Sequence, residues 1–290
     1  MILTILGVPC YNVESSATKR ALETIRTGTI TEGAQLAKPR ILFYDIETSL
    51  QPVAVFSLLH NDYIDPSSIL SERYIISGSW KWEGKKEIHA VSVLDDAKRY
   101  RKNPHDDYHV VKTLHKLLSD ADVIVGHNSD SFDKRWIETR ALIHGFPALP
   151  PIASIDTFKV AKARLYLNSN KLDYIGRLLG VGRKIKTTNG LWLRVLHGDK
   201  QAVKEMVRYN KQDVALLEQV YLKLRPYVAN HISRELFGGV GCPRCGSTKI
   251  QSRGGHRAIS RVYRRWQCQK CSGWFKSNMA EPGTTQYRVL

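Results

Sequence analysis

The chain has 290 residues, enough for one large domain and a smaller second one. Its 44 Lys and Arg residues against 27 Asp and Glu residues give a formal net charge of +17, and 42% of its residues are hydrophobic. This composition excludes a disordered or collagen-like chain, and no apolar run is long enough to predict a membrane-spanning helix. The first residues lack the basic stretch and the long apolar core of a signal peptide, so we predict none.

The N-terminal 38 residues show no clear periodicity, and we interpret them as an extension with one short basic helix at Ala17–Arg26 as a candidate element. Cys10, in the same segment, is interpreted as a small apolar side chain.

Strand and helix patterns alternate after this extension. Apolar and β-branched runs predict strands at Ile41–Ile46, Tyr74–Trp80, Ile88–Val93, Asp122–Val125 and Ile152–Ile155, the second and third forming a hairpin. Helical spacing of apolar residues predicts helices over Asp107–Ser119, Phe132–Gly145, Leu172–Leu179 and Lys200–Leu224. This order predicts an α/β domain in which a mixed sheet is flanked by helices.

Two acidic residues follow each other at the end of the first predicted strand. Asp45 and Glu47 are two residues apart, and residues with that spacing lie on one face of a sheet. Neighbouring carboxylates that are shielded from water repel each other, and a cation between them removes that cost. Oxygen ligands favour Mg²⁺ or Mn²⁺ over Zn²⁺. The pair alone is a weak indication, because two acids also cap a strand end in water.

A third acidic residue lies on the apolar face of the last predicted helix. That face is formed, at steps of three or four residues, by Met206, Tyr209, Asp213, Leu217, Val220 and Leu224. A carboxylate there is costly unless a partner compensates it, which favours a functional role for Asp213. Tyr209 lies one turn earlier on the same face, where core packing is the alternative interpretation.

A fourth acidic residue, Asp133, opens the helix that follows the strand at Asp122–Val125. The helix dipole stabilises an acidic residue in the first turn of a helix. This structural role is the alternative to a functional role for Asp133 and for Asp130. The spacing G-H-N-x-x-x-F-D favours Asp133. We expect His127 and Asn128 to shape this loop rather than to bind a metal.

Three of these segments resemble the motifs of a known enzyme family. D-I-E-T at Asp45–Thr48, G-H-N-x-x-x-F-D at Gly126–Asp133 and Y-x-x-x-D at Tyr209–Asp213 are similar to the motifs of the DEDD, or DnaQ-like, 3′–5′ exonucleases. These enzymes have a ribonuclease H-like fold. The chain looks most similar to the proofreading domains of family B DNA polymerases and to stand-alone phage relatives, over Pro39–Pro226. Tyr209 four residues before the last Asp, with Arg208 where the other branch has His, is typical of the tyrosine branch.

The resemblance implies hydrolysis of phosphodiester bonds with two catalytic Mg²⁺ or Mn²⁺ ions. By that analogy Asp45, Glu47 and Asp213 hold the first ion, Asp45 bridges to the second, and Asp133 reaches the second directly or through water. Tyr209 would orient the attacking water, because the ordinary tyrosine pKa near 10 argues against a general base. The implied substrate is nucleic acid, with single-stranded DNA favoured over RNA.

Four of the five cysteines lie near the C-terminus as two C-x2-C pairs. The pairs are separated by 22 residues, which predicts one structural zinc ion bound by Cys242, Cys245, Cys268 and Cys271. His256 is an alternative ligand that four thiolates make unnecessary. The pattern resembles a zinc ribbon with a hairpin around Ala258–Gln267, and metal would supply the folding energy that so short a segment lacks.

The same region is strongly basic. Between Gly239 and Leu290 ten Lys and Arg residues accompany one acid, Glu281, which is typical of a domain that binds a polyanion, with a solvated surface as the alternative. Interleaved arginines and aromatic residues suit single-stranded nucleic acid, through phosphate contacts and base stacking. The predicted contacts are Arg264, Arg265, Trp266 and Lys276. For Trp266 and Trp274, packing around the zinc is the alternative.

The resulting plan is an extension at 1–38, an exonuclease domain at 39–226, a linker at 227–240 and a basic zinc ribbon at 241–290. Two other functions stay open: a non-catalytic nucleic-acid-binding module, and a proofreading subunit that acts beside a polymerase in trans. We expect a replication or repair partner and no membrane association. The expected location is the cytoplasm, or the host cytoplasm if the source is a phage.

Overall fold

The computed structural model describes residues 38–57, 63–229, 231–234, 241–258 and 261–282. The predicted N-terminal extension, its helix at Ala17–Arg26 and Cys10 lie outside the described residues.

A five-stranded mixed sheet forms the centre of the larger part of the structure. Its strands are β1 (Ile41–Thr48), β2 (Ile75–Trp82), β3 (His89–Ser92), β4 (Val123–Gly126) and β5 (Ala153–Asp156). Their order is β3-β2-β1-β4-β5. β2 is antiparallel to both β1 and β3, whereas β4 and β5 run parallel to β1. The predicted mixed sheet is confirmed, with strand ends displaced by one or two residues.

Helices cover both faces of this sheet. They are α1 (Ala97–Lys102), α2 (Tyr108–Ser119), α3 (Asp133–Ile143), α4 (Thr157–Arg164), α5 (Leu172–Leu178), α6 (Asn189–Leu196) and α7 (Lys200–Leu224). α1, α4 and α6 were not predicted, because helices of six to eight residues rarely show a clear apolar stripe. No helix among the described residues has the length and apolar character needed to cross a membrane.

The alternation of side chains along β1 places the acidic residues. Leu42, Tyr44 and Ile46 belong to the core that packs against α2 and α3. Ile41 and Phe43 point the other way, into the core formed with the second half of α7. Because successive residues of a strand face opposite sides, Asp45 and Glu47 continue the α7 face where the strand ends.

Gly126 ends β4 and is in close contact with the loop that leads into α3. A Cβ atom at this position would overlap with Cβ and Oγ of Ser129, which is fully buried. We therefore expect Gly126→Ala to lower the free energy of unfolding by about 1–3 kcal/mol, as measured by urea denaturation. Gly190→Ala is the control: it lies in α6 with ordinary contact distances, so it should leave the stability unchanged or raise it. A neutral Gly126→Ala would contradict the argument.

A second, antiparallel sheet carries the cysteines. Its strands are β6 (Ile250–Arg257), β7 (Val262–Cys268) and β8 (Trp274–Ala280), in that order. The hairpin predicted around Ala258–Gln267 is displaced: that range contains most of β7, whereas the strand that pairs with β7, β6, ends at Arg257. β6 and β8 were not predicted. β6 contains two glycines and is exposed on both faces, so it lacks the alternation that identifies a strand.

Candidate active site and cysteine centre

Three of the predicted acidic residues meet in space. Asp45, Glu47 and Asp213 each contribute a carboxylate oxygen to a group of atoms that lie within 4.8 Å of one another. β1 supplies the first two and the middle of α7 supplies the third. The prediction that Asp213 lies on the apolar face of its helix is explained by this contact, because the face packs on the sheet at the end of β1.

Asp133 lies beside this group and supports it. Its Oδ1 accepts a hydrogen bond from the backbone N–H of Ile46, between the two acids of β1, at 3.0 Å. The residue is 3% exposed. Burial raises the pKa of Asp133 to about 7, although backbone hydrogen bonds oppose the shift. Its negative charge in turn raises the pKa of Asp45, which places the two carboxylates within electrostatic reach.

Burial and mutual repulsion raise the pKa values of these carboxylates and so favour their protonated forms. The pKa of Asp45 is raised by burial first and then by the charges of Asp133 and Asp213. Burial and the charge of Asp213 raise the pKa of Glu47 to about 8. The pKa of Asp213 is also raised by burial, against the opposing effect of a lysine described below. A divalent cation among these oxygens would offset both the cost of burying the charges and the repulsion between them.

Unsatisfied oxygens next to the acids also fit a metal ion. Asp213 Oδ1 and Asn210 Oδ1 are buried and have no hydrogen-bond partner within the described part of the chain. Asn210, which the sequence analysis missed, donates from Nδ2 to Asp45 Oδ2 at 2.6 Å. A buried carboxylate oxygen without a partner is costly, and a hard cation such as Mg²⁺ or Mn²⁺ accepts such oxygens as ligands.

Lys184 is the second residue of the site that the sequence analysis missed. Its Nζ lies 2.6 Å from Asp213 Oδ2 and 3.4 Å from the hydroxyl of Tyr209. Although burial opposes the shift, the charges of Asp213 and Asp45 raise the pKa of Lys184. The residue comes from the loop between α5 and α6, where the run R-K-I-K is indistinguishable from a solvated basic segment. Its ammonium group supplies part of the positive charge that the acids require.

Tyr209 stands at the edge of the acidic group. Its ring packs edge-on against Trp192, with 6.2 Å between the ring centroids. Burial and the charge of Asp213 raise its pKa to about 12, so the hydroxyl keeps its proton at neutral pH. It can therefore position a water molecule by hydrogen bonding, but it is not a general base. A groove of about 550 Å³ that it shares with Lys186 and Arg208 opens beside it.

The loop after β4 has a structural role, as its sequence indicates. The ring nitrogens of His127 lie 2.9 Å from Thr157 Oγ1 and 2.9 Å from the backbone oxygen of Asn170. Burial lowers the pKa of His127 to about 4, so the ring is neutral, and both its nitrogens have partners inside the protein. The carboxylate of Asp130 pairs with Lys159 at 2.7 Å, so a lysine already compensates its charge.

The raised pKa values predict a pH-dependent affinity for metal. Glu47 and Asp133, with pKa values of about 8 and about 7, hold protons in the metal-free protein at lower pH, and a cation must displace them. Because the folded pKa values are raised, the metal-free protein should lose stability progressively as pH rises from the ordinary carboxyl pKa values of 3.8 and 4.5 to about 7 and about 8. We expect the gain in melting temperature on adding Mn²⁺ to be larger at about pH 8.5 than at about pH 6. Glu47→Gln should reduce this difference, and an equal gain at both pH values would contradict the prediction.

The four predicted cysteine ligands also converge. We call residues 241–258 and 261–282 the C-terminal module. Sγ of Cys242 lies 3.7 Å from Sγ of Cys271, Sγ of Cys245 lies 3.6 Å from Sγ of Cys268, and all four atoms lie within 4.8 Å of one another. A tetrahedral zinc ion with bonds of about 2.3 Å separates its sulfur ligands by about 3.8 Å. The cysteine geometry therefore fits zinc.

The residues predicted to bind nucleic acid lie on β7 and β8 of the C-terminal module. Arg264 donates to Glu281 at 2.9 Å, so part of its charge is compensated. The guanidinium of Arg265 lies 5.2 Å from the ring centroid of Trp274. Lys276 is exposed, whereas Trp266 is half-buried. Trp274 is 46% exposed, which makes it a better candidate for stacking with a base than Trp266.

The mixed sheet and the carboxylates at the end of β1 form a site whose oxygen atoms fit divalent metal ions. Residues 78–225 match the family model RNase_H_2 of the RNase_H superfamily, and the chain belongs to that superfamily. Membership agrees with the predicted ribonuclease H-like fold.

Comparison with solved structures gives the same fold. The structure is similar to a family B DNA polymerase from the hyperthermophilic archaeon Pyrobaculum calidifontis, with a TM-score of 0.50 and 18% sequence identity. The similarity covers 71% of this chain and 26% of the polymerase chain, so the protein spans about a quarter of that enzyme. At this identity the likeness concerns the fold alone. No curated protein sequence matches the chain significantly.

Proposed function

We propose that the protein is a two-metal-ion 3′–5′ exonuclease of the DEDD group, in its tyrosine branch, and that single-stranded DNA is its favoured substrate. The observation that carries this proposal is the convergence of Asp45, Glu47 and Asp213 within 4.8 Å, with Asp133 beside them. Four neighbouring carboxylates with raised pKa values, two of them buried and two half-buried, are costly to a fold, and a bound cation would offset that cost.

We assign each residue a role. Asp45, Glu47 and Asp213 would hold the first Mg²⁺ or Mn²⁺ ion, with Asp45 shared with a second ion that Asp133 reaches directly or through water. When bound, the two ions would generate the nucleophile and stabilise the leaving 3′-oxygen. Tyr209, whose hydroxyl lies 3.4 Å from Lys184 Nζ, would orient the attacking water. Asn210 would hold Asp45 in place through its 2.6 Å hydrogen bond.

We further propose that the C-terminal module is a zinc ribbon that binds the substrate. Four thiols at tetrahedral spacing support the metal, and exposed Arg265, Lys276 and Trp274 support nucleic-acid binding. With this assignment we keep the proposed boundaries of 39–226 for the exonuclease domain and 241–290 for the ribbon. The similarity in fold to a polymerase chain favours, as a second candidate, a proofreading role beside a polymerase in trans.

The test is digestion of 5′-labelled single-stranded DNA, and of the matching RNA, with Mg²⁺ or Mn²⁺. We expect a ladder that shortens from the 3′ end and is absent with Asp213→Ala. A circular single strand is the control, because it has no 3′ end and should stay intact. Cleavage of the circle would identify an endonuclease instead. An uncut but bound linear strand would favour the non-catalytic binding module.

A further inference from the structure

We propose that the C-terminal module is held at a fixed place on the catalytic domain, where its basic surface binds the substrate strand at a set distance on the 5′ side of the bond that is cut. This inference rests on the proposed exonuclease function. Its consequence is that strands long enough to reach both surfaces are cut faster, and that digestion slows at a defined remaining length.

An ion-pair cluster fixes the segment that leads to the module. Glu83, in the turn after β2, accepts hydrogen bonds from Arg225 at 3.1 Å and from Arg234 at 2.6 Å. All three side chains are largely buried, and charge pairs shielded from water restrict geometry more than exposed pairs do. The backbone N–H of Glu83 donates to the carbonyl of Ile41 at 2.9 Å. We call Glu83, Arg225 and Arg234 the anchor, and it lies where β1 begins.

The same anchor holds the first cysteine pair. The backbone N–H of Arg234 donates to the carbonyl of Pro243 at 3.0 Å, and its Nε donates to the carbonyl of Arg244 at 2.8 Å. Arg244 itself donates to the carbonyls of Val228 at 3.0 Å and of Trp274 at 2.7 Å. Pro243 and Arg244 are the two residues between the cysteines of that pair, so the contacts connect the metal site itself to the catalytic domain.

The acids are separated from the anchor along β1 and α7, the two elements that connect them. Asp45 is four residues beyond Ile41 on β1, which corresponds to about 13 Å in a strand. Asp213 is eleven residues before Leu224, at the end of α7, which corresponds to about 17 Å in a helix. A stacked strand of nucleic acid advances about 3.4 Å per nucleotide. The point where the module is anchored is therefore separated from the acids by a length of about four to five stacked nucleotides.

The module presents a surface that suits a single strand. Its described residues carry nine Lys and Arg residues and one acid, Glu281. β6 is exposed from Gln251 to Arg257, and it contributes Arg253 and Arg257 to this surface. Trp274, whose carbonyl is held by Arg244, is the exposed aromatic residue beside Arg265. Arginines beside an exposed ring are typical of binding to phosphates and bases together.

The experiment compares a 5′-labelled DNA strand of about 20 nucleotides with one of about four. We expect kcat/KM to be at least about tenfold higher for the longer strand, and its digestion products to accumulate at one short length. The double variant Arg253→Gln, Arg257→Gln should reduce the ratio of the two kcat/KM values and weaken its salt dependence.

Glu83→Gln tests whether the distance is fixed. It weakens the anchor, so we expect the accumulated product to spread over several lengths while cleavage of the short strand is unchanged. Glu87→Gln, an exposed residue of the same turn region, is the matched control and should behave as the wild type. If Glu83→Gln does not fold, Arg234→Met removes one of the two arginines instead.

Three results would overturn the inference. One is equal kcat/KM for the two strands. Another is a preference for the long strand without accumulation at a defined length, which indicates a flexible tether. The third is accumulation that Glu83→Gln leaves unchanged. If no strand is cut at all, the proposed function fails, and affinities of the Asp45→Asn protein for strands of increasing length still test the inference. A gradual rise in affinity without a step would then count against it.

Discussion

Replacing Asp45 by asparagine should lower the single-turnover rate constant of cleavage by about 10³-fold or more while leaving the protein folded. A metal ion contributes several kcal/mol to the stabilisation of a transition state, and each 1.36 kcal/mol corresponds to about a factor of ten in rate. Asp45 is the residue to which we assign both ions, so its loss should have the largest effect of any single carboxylate. The measurement is single-turnover cleavage of a 5′-labelled strand together with a thermal melt.

The fold should tolerate this change because asparagine keeps the shape of the side chain. Its amide oxygen can still accept from Asn210 Nδ2, which now donates to Asp45 Oδ2 at 2.6 Å. The substitution also removes one negative charge from a buried group in which Asp133 and Asp213 already raise the pKa of Asp45. The metal-free variant should therefore be as stable as the wild type, or more stable.

The matched control is Asp120→Asn. Asp120 follows α2 and pairs with Lys116 at 3.0 Å, in an exposed ion pair of the kind that contributes little to stability. Its variant should keep cleavage within about twofold of the wild type. Full activity in a pure Asp45→Asn preparation would refute the assignment of the catalytic residues.

Replacing Cys268 by serine should abolish zinc binding and unfold the C-terminal module. The module has little apolar core. β6 is exposed on both faces, and the buried hydrophobic residues in the described part of the module are Cys242 and Cys268. Structural zinc sites contribute about 10–16 kcal/mol of apparent binding free energy, which such a segment cannot replace by packing. We expect zinc content to fall from one ion per chain to none, and affinity for a long DNA strand to fall with it.

The catalytic domain should survive this loss. The two apolar cores described above are formed by residues between Ile41 and Ile232 and contain none of the module. We therefore expect the main thermal transition and the cleavage of a very short strand to persist in Cys268→Ser. Cys10→Ser, which changes the cysteine outside the two C-x2-C pairs, should keep its zinc. One zinc ion retained with high affinity in Cys268→Ser would contradict the four-cysteine site.

Local patterns in the sequence predicted the longer helices, the strands of the larger sheet and the cysteine cluster, each of which has a signal within one short segment. The bounds of α7 were predicted as Lys200–Leu224, as the structure has them, because a long amphipathic helix repeats its signal over many turns. Short apolar runs predicted the five strands of the larger sheet in their order along the chain, whereas their spatial order in the sheet was not predicted. The cysteine spacing predicted four thiols that converge, since two C-x2-C pairs leave few other geometries.

Only the tertiary structure decided which distant residues complete these sites. Asn210 and Asp45 are 165 residues apart, and Arg234 and Glu83 are 151 apart. Lys184 lies in a loop whose sequence resembles any solvated basic run. None of these residues has a periodic or motif signal, because the partner that gives it a role is brought close by the packing of β1, β2 and α7. Contacts of this kind arise from the fold as a whole, so no local pattern of residues can specify them.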